Sequence, residues 1–282
     1  FLASYSETGM LISANKYGGM GNETVQSIET NSKGEIIIGG SFSSSSLAMD
    51  NFSVNNMNTS YENFFLAKLT NDLTTKWIKS PDSSTNNSNI NSLCIDTLGS
   101  IYVTGYFQSN QLLIGSSLLQ NSYPSNRESF IAKYDSTGLS IWATSINSTG
   151  TDYGKNICCD SYGNVYVTGL FNGNVITTNN LTSNNINQGY YDDYICKLNF
   201  NKTNNSNYKI EWNDVTSFTT NGRYSSSSFT IGDKAYVGLG QVSGGYKMYD
   251  LWEFSSSNST WIQKASYPGN GSYAATAFSV KG

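Results

Sequence analysis

A unit of 64 or 65 residues recurs three times along the chain, and this repetition constrains the fold more than any other feature. Each copy carries an apolar run between two glycines, and the first glycines are 65 and 64 residues apart. An aromatic residue followed by an apolar pair and Lys keeps the same steps. The glycine segments are Gly34–Gly40, Gly99–Gly105 and Gly163–Gly169, and the lysine segments are Phe65–Lys68, Phe130–Lys133 and Tyr194–Lys197.

The pattern within each copy predicts four short antiparallel strands. Ile, Val and aromatic runs end at Gly, Asn or Asp, and no segment keeps a period of 3.6 residues. A long polar loop is expected between the second and third strands. In the third copy Trp212 comes fifteen residues after Lys197, so we expect an insertion of about six residues, compared with the other copies, within the turn Asn199–Asn207.

A different, shorter repeat is predicted after residue 215. Asn221–Tyr224 and Asn270–Tyr273 begin copies that are 49 residues apart, and the apolar runs between them predict four more strands. Phe1–Ser4 aligns with Phe65–Lys68, so we expect the chain to begin in a third strand and to end, over Tyr273–Val280, in a first strand. Either the two ends complete one blade, or the chain is a fragment of a longer protein, which we favour.

Four-stranded units of this length cannot bury both sheet faces alone. Stacking the sheets face to face around an axis solves this problem. The sequence therefore predicts an all-β fold, a β-propeller of four-stranded antiparallel blades, with four complete blades and partial blade strands at both termini. A β-sandwich would not require a unit with fixed internal landmarks to recur.

Two known repeat families resemble these segments. Residues 1–215 resemble the bacterial β-propeller repeat called SBBP, whose D-x-x-G-N-x-Y-V-T-G pattern is matched by Asp160–Gly169. Residues 216–282 resemble kelch repeats of the galactose-oxidase-like bacterial kind, because six residues separate Phe254 from Trp261. These resemblances imply blades of one propeller in a large secreted or surface protein.

Composition excludes several functions. The chain has no histidine, which removes a Ser-His-Asp triad, a Cys-His pair and histidine-based zinc or copper sites. The formal charge is −4 and Lys and Arg are not clustered, so nucleic acid is not an expected partner. No run of 18 apolar residues is present, so no membrane insertion is expected. We also expect no metal and no cofactor.

Tyrosines and charged residues precede the third strand of every copy. Aromatic faces and carboxylates suit carbohydrate hydroxyls, so these loops are candidate ligand sites, although an acid that merely caps a turn explains the same pattern. The candidate ligand-binding residues are Tyr61, Glu62, Tyr123, Arg127, Glu128, Tyr190, Tyr191, Asp192 and Asp193. No catalytic residue is assigned.

The four cysteines are expected to be structural thiols. Cys94 and Cys158 occupy equivalent positions, and Cys196 stands where other copies have Ala. Cys159 and Cys196 lie on strands one and three of one predicted sheet, too far apart for a disulfide. Adjacent Cys158 and Cys159 do not match the spacing of a zinc site.

These features favour a non-enzymatic binding or interaction scaffold outside the cell, with a protein or glycan ligand. One alternative is a structural component of a cell-surface or virion assembly, which would bury large interfaces on blade flanks or loops. Another is a carboxylate-dependent glycosidase or lyase. That enzyme would need two acids about 5–10 Å apart, one of raised pKa, and Glu128 with Asp192 or Asp193 is the first pair to test.

Overall fold

Short apolar runs that end in Gly, Asn or Asp turns form strands throughout the protein. The computed structural model describes residues 1–160, 163–178, 181–185, 189–202, 208–213, 223–224, 226–231, 234–242, 244–255, 258 and 260–272. Over these residues the protein is all-β, with antiparallel strand pairs and no helix. Within the same ranges, no helix is therefore long and apolar enough to cross a bilayer.

An N-terminal hairpin precedes the first repeat. Its strands are β1 (Leu2–Tyr5) and β2 (Leu11–Asn15). The first repeat then forms β3 (Glu23–Thr30), β4 (Ile36–Phe42), β5 (Ser46–Met49), β6 (Phe52–Asn55), β7 (Asn63–Leu69) and β8 (Thr75–Lys79).

The second and third repeats form the same six strands in the same order. A short strand, β9 (Ser83–Ser84), leads into β10 (Ser88–Ile95), β11 (Ile101–Phe107), β12 (Gln111–Ile114), β13 (Ser117–Gln120), β14 (Glu128–Tyr134) and β15 (Ser140–Ser148). The third repeat gives β16 (Asp152–Cys159), β17 (Val165–Phe171), β18 (Val175–Thr178), β19 (Leu181–Asn184), β20 (Asp192–Lys202) and β21 (Tyr208–Asn213).

The C-terminal part forms a fourth four-stranded sheet. Its strands are β23 (Ser227–Ile231), β24 (Lys234–Gly238), β26 (Leu251–Ser255) and β27 (Thr260–Lys264), while β22 (Arg223–Tyr224) and β25 (Gln241–Val242) pair with each other in a separate two-stranded sheet. The strand predicted over Tyr273–Val280 lies outside the described residues. The prediction of four antiparallel strands in each repeat is confirmed. Neighbouring strands pair in the orders β3-β4-β7-β8, β10-β11-β14-β15, β16-β17-β20-β21 and β23-β24-β26-β27.

The prediction of a long polar loop between strands two and three of each repeat is wrong. In each repeat it is a two-stranded ribbon, formed by β5–β6, β12–β13 and β18–β19. Each ribbon also pairs with the segment that precedes its own repeat, through Gly18 with Ala48, Ser83 with Leu113, and Asn147 with Thr177. These pairs recur at the 65- and 64-residue steps, so the ribbon is part of the repeating unit.

The two repeated glycines have different roles. The first glycine of each copy has a positive φ, 74° at Gly34 and 84° at Gly99, which an L-residue adopts at a cost. The second glycine faces a bulge in strand one. A Cβ at Gly105 would overlap the carbonyl oxygen of Asn89, and one at Gly40 would overlap that of Thr24.

The protein divides into two units. Unit 1 contains Phe1–Ser125 and Phe130–Ser145, and unit 2 contains Asn126–Ser129 and Ile146–Gly282. In unit 1, β10 packs against β3, β4 and β7, so the first two sheets meet face to face. Ile37, Phe64 and Leu66 of the first sheet share a core with Ile90, Leu93, Val103 and Phe130 of the second.

Unit 2 also packs one sheet against the next. Tyr166 of the third sheet contacts Phe254 of the fourth edge to face, with ring centroids 6.3 Å apart. Ala235 and Trp261 of the fourth sheet and Cys158 of the third complete this cluster. In both units, therefore, a sheet buries one face against the sheet of the following repeat.

The prediction of four structural thiols is wrong for two of the cysteines. Cys94 and Cys159 are disulfide-bonded, while Cys158 and Cys196 are thiols. The expectation that Cys159 and Cys196 are not bridged to each other is consistent with this pattern. Cys158 is partly buried against the cluster of Tyr166 and Phe254, and its removal from water raises the pKa of its thiol to about 12.

Candidate functional site

In the first two repeats the start of the third strand is hydrogen-bonded to the first strand of the following repeat. The backbone N–H of Ser88 donates to the carbonyl of Glu62 at 2.8 Å in unit 1, and that of Asp152 donates to the carbonyl of Arg127 at 2.7 Å in unit 2. These two bonds are equivalent in the repeat. They place the predicted loop residues directly beside the first residues of a neighbouring strand.

In unit 1 the predicted site residues are spread along two loops. Tyr61 and Tyr123 are partly exposed, at 36% and 45%. Glu62 is held inward, because its carboxylate accepts a hydrogen bond from the Ser41 hydroxyl at 2.9 Å and its N–H donates to Asn87. Only the two tyrosines of this group therefore present a ring to solvent.

In unit 2 two cations and two aromatic rings come together, and we call Arg127, Tyr153, Lys155 and Tyr191 the Tyr153 cluster. Arg127 donates to the Tyr153 hydroxyl at 2.7 Å, and its guanidinium lies 5.3 Å from the ring centroid. The Lys155 ammonium lies 4.7 Å from the same centroid. Tyr191 packs against Tyr153 with centroids 6.3 Å apart. Cations near aromatic faces stabilise such an arrangement.

The remaining predicted residues flank this cluster. Tyr190 is 58% exposed, and its carbonyl accepts a hydrogen bond from the Asn185 side chain at 3.0 Å. Asp192 begins β20 and is buried, whereas Asp193 is half-buried. Burial lowers the pKa of Lys155, and the nearby charge of Asp193 acts in the opposite direction.

Two buried carboxyl groups belong to residues that are the immediate sequence neighbours of members of the Tyr153 cluster. Glu128 follows Arg127 and is 2% exposed, and Asp152 precedes Tyr153 and is fully buried. Glu128 Oε1 is buried without a hydrogen-bond partner. Asp152 accepts hydrogen bonds from the N–H of Ser148 at 2.8 Å and from its hydroxyl at 2.6 Å.

Burial dominates the protonation of this acid pair. It raises the pKa of Glu128 to about 9, and the charge of Asp152 adds to the effect. Burial also raises the pKa of Asp152 to about 7, although the two bonds from Ser148 partly oppose the rise. The carboxyl group that acts on Glu128 is thus Asp152, rather than Asp192 or Asp193.

Sequence analysis missed Tyr153, Lys155 and the acid at Asp152. A signal was present, since Glu23, Ser88 and Asp152 follow one another at the repeat steps and each begins strand one. The first residue of strand one lies beside the start of strand three because of a hydrogen bond between successive repeats. A pattern within one repeat does not reveal it.

The described residues contain no group of three or more His, Cys, Asp or Glu side chains that could hold a metal ion. Comparison with known proteins adds little. No known protein family matches the chain, and no curated protein matches it. One solved structure, a fungal alcohol oxidase of the AA5 family in complex with copper, is similar at a TM-score of 0.27 and 10% identity, over 89% of this chain and 67% of that one.

Proposed function

We propose that the protein is a non-enzymatic binding scaffold of the extracellular space or a cell surface, built as a β-propeller. Two observations support the propeller. The four-stranded sheet recurs four times in the same strand order, and in each unit consecutive sheets pack face to face. The ribbon pairs also recur at the 65- and 64-residue steps, as expected where each repeat contacts its neighbours in the same way.

The ligand surface that we propose in unit 2 is the Tyr153 cluster with Tyr190. The observation that carries this proposal is the preorganised set of aromatic and cationic side chains, together with Tyr190, which is 58% exposed and adjacent in sequence to Tyr191. Aromatic rings with neighbouring polar groups suit the faces and hydroxyls of sugars, so a glycan is the ligand class we favour. A protein ligand is the other outcome of the test, because Tyr and Arg are also common in protein interfaces.

The two disulfide-bonded cysteines support an extracellular location. Disulfides persist mainly in oxidising compartments such as the cell exterior. The low content of charged residues, 13%, and the 20 tyrosines fit a surface that binds through aromatic and neutral polar groups.

A carboxylate-dependent glycosidase or lyase is a second candidate, which the raised pKa of Glu128 favours. Burial argues against it, because Glu128 is 2% exposed and Asp152 is fully buried, and a substrate has to touch its general acid. Hydrolysis of an oligosaccharide that the protein binds, lost in Glu128→Gln, would favour the enzyme.

Binding to immobilised oligosaccharides and to candidate protein partners tests the scaffold. We expect Tyr190→Ala and Tyr191→Ala each to weaken binding at least about tenfold, as loss of an aromatic contact does. Tyr246→Ala is the matched control in unit 2, because Tyr246 is 75% exposed and lies outside these loops. Equal binding by all three variants would overturn the assignment of this surface.

A further inference from the structure

The acid pair next to the Tyr153 cluster in sequence has no counterpart at the equivalent junction of unit 1. In unit 1 the equivalent positions are Asn63 and Ser88, which are neutral. There the Ser88 hydroxyl accepts a hydrogen bond from the N–H of Phe64 at 3.0 Å, and the Asn63 amide donates to Asn56 at 3.1 Å. A neutral pair therefore suffices to join two repeats, so carboxyl groups are not needed for this packing.

The acid pair has a direct mechanical link to the cluster. Glu128 and Arg127 are consecutive, as are Asp152 and Tyr153, and the backbone bond from Asp152 to Arg127 joins the two strands at that point. A displacement of the backbone that carries either carboxyl group therefore also displaces a member of the cluster. Both carboxyl groups are excluded from water, so charge on them cannot be solvated without opening the junction.

We propose that Glu128 and Asp152 form a proton-operated latch, which holds the Tyr153 cluster in place while the pair is protonated and loosens it when both carboxyl groups are ionised. This proposal rests on the proposed function only because that function gives the Tyr153 cluster a ligand. The test of the latch itself needs no ligand.

The hydrogen bonds to the carboxylate oxygens of Asp152 indicate which of the two acids loses its proton first. Both accept hydrogen bonds from Ser148, which favours the charged form of Asp152, whereas Glu128 Oε1 has no partner. Asp152 thus ionises first, and loss of the Glu128 proton places a second negative charge in the same buried space. Two like charges at short distance in a buried site repel strongly.

Other titratable groups surround the pair and act on it. Tyr194 of β20 interacts with both carboxyl groups, and Tyr191, the residue before β20, interacts with Asp152. The other titratable residues on the elements packed here are Arg127 just before β14, Tyr153 and Lys155 of β16, and Asp192 and Asp193 of β20.

The direction of the pH effect follows from the raised pKa values. In the folded protein both acids hold their protons to a higher pH than in the unfolded chain, where carboxyl groups ionise near pH 4. The stability that the pair contributes is therefore complete below about pH 4, and it falls as the pH rises toward 9. Opening of the junction should follow the same direction.

Hydrogen exchange of the whole protein tests the latch. Residues 148–156 report on this junction, and residues 84–91 report on the neutral junction of unit 1. Taking the ratio of their protection factors removes the intrinsic pH dependence of exchange. We expect the relative protection of 148–156 to fall at least about tenfold between pH 6 and pH 9.5.

The double variant Glu128→Gln with Asp152→Asn should keep this ratio constant across the same range. A second double variant, Glu128→Asn with Asp152→Ser, copies the unit 1 junction and serves if the first does not fold. A flat ratio in the unaltered protein, or the same fall in a folded variant, overturns the latch. Oligosaccharide binding measured at pH 6 and pH 9.5 tests the proposed function separately. If the protein binds no oligosaccharide at either pH, the proposed function fails but the hydrogen-exchange result still stands.

Discussion

Lys197 lies across from Tyr166 on adjacent strands of the third sheet, with its ammonium 5.7 Å from the centre of the ring. The equivalent Lys133 lies 4.9 Å from the ring of Tyr102 in the second sheet. In the first sheet the residue opposite the lysine is Ile37, and Lys68 instead forms an ion pair of 2.7 Å with Glu35. The repeated lysine thus has a partner in all three copies, although the partner changes, and it is buried in the first copy and half-buried in the other two.

The ion pair in the first sheet gives a stability that depends on pH. Hydrogen bonds from Lys68, then Lys76 and Asn31, lower the pKa of Glu35 to about 2. A depressed carboxyl pKa stabilises the fold above the unfolded value near 4.5 and loses that contribution as the pH falls toward 2. We expect Glu35→Gln to cost about 2 kcal/mol at pH 7 and almost nothing at pH 2, measured by denaturant unfolding. Glu7→Gln, at an exposed acid, should cost little at either pH; an equal cost of Glu35→Gln at both values would contradict this account.

Substitution of the repeated glycines should separate their two roles. Gly105→Ala places a Cβ against the carbonyl oxygen of Asn89 at the bulge, and neither backbone segment can yield cheaply. We expect a loss of at least about 3 kcal/mol in the free energy of unfolding. At Gly163 the space around a Cβ is open and only the φ of 82° opposes it, so Gly163→Ala should cost about 1 kcal/mol. Similar costs at the two sites would refute the distinction.

The sheets could be predicted because the residues that define them act within one repeat. A turn glycine, an apolar run and a lysine motif at fixed spacing are enough to place four strands. The ribbons left a weaker trace, since Leu47, Leu112 and Ile176 are buried at the repeat steps but stand in short, mostly polar segments. Each segment is a hairpin whose two strands pair with each other and also with the segment before the repeat, and its short polar sequence does not by itself distinguish a hairpin from a loop.

The candidate site was predictable in part for the same reason. Tyr190, Tyr191 and Arg127 stand in loops that the repeat alignment identifies. The partner of Arg127 is Tyr153, which belongs to the first strand of the next repeat, and the carboxyl group next to Glu128 comes from Asp152 of that strand. Contacts between repeats decide both pairings.

The oxidation state of the cysteines can be counted directly. Alkylation of the unfolded, unreduced protein should label two thiols, at Cys158 and Cys196, and reduction should raise the number to four. We expect Cys159→Ala to lower the free energy of unfolding by about 2–5 kcal/mol, the usual effect of removing a native disulfide. Its neighbour is the control, since Cys158→Ala removes only a partly buried thiol and should cost about 1 kcal/mol. Labelling of four thiols without reductant would contradict the assignment.

Asparagines that follow the ribbons hold the loops that carry the exposed tyrosines. Asn56, Asn121 and Asn185 recur at the repeat steps and are buried. The side chain of Asn185 donates to the carbonyl of Tyr190, as that of Asn56 does to the carbonyl of Tyr61 at 2.8 Å. Asn185→Ala leaves the Tyr190 carbonyl without this part-buried hydrogen bond, so we expect a loss of about 1 kcal/mol and faster exchange of residues 189–191.

The effect should be confined to the loop of the altered repeat. Asn56→Ala is the matched control, because it should speed exchange at residues 58–62 and leave residues 189–191 as they were. Ligand binding at the Tyr153 cluster should weaken in Asn185→Ala, since Tyr190 and Tyr191 are displaced together, and should be unchanged in Asn56→Ala. Unaltered exchange around Tyr190 in Asn185→Ala would show that the ribbon, rather than its asparagine, positions the loop.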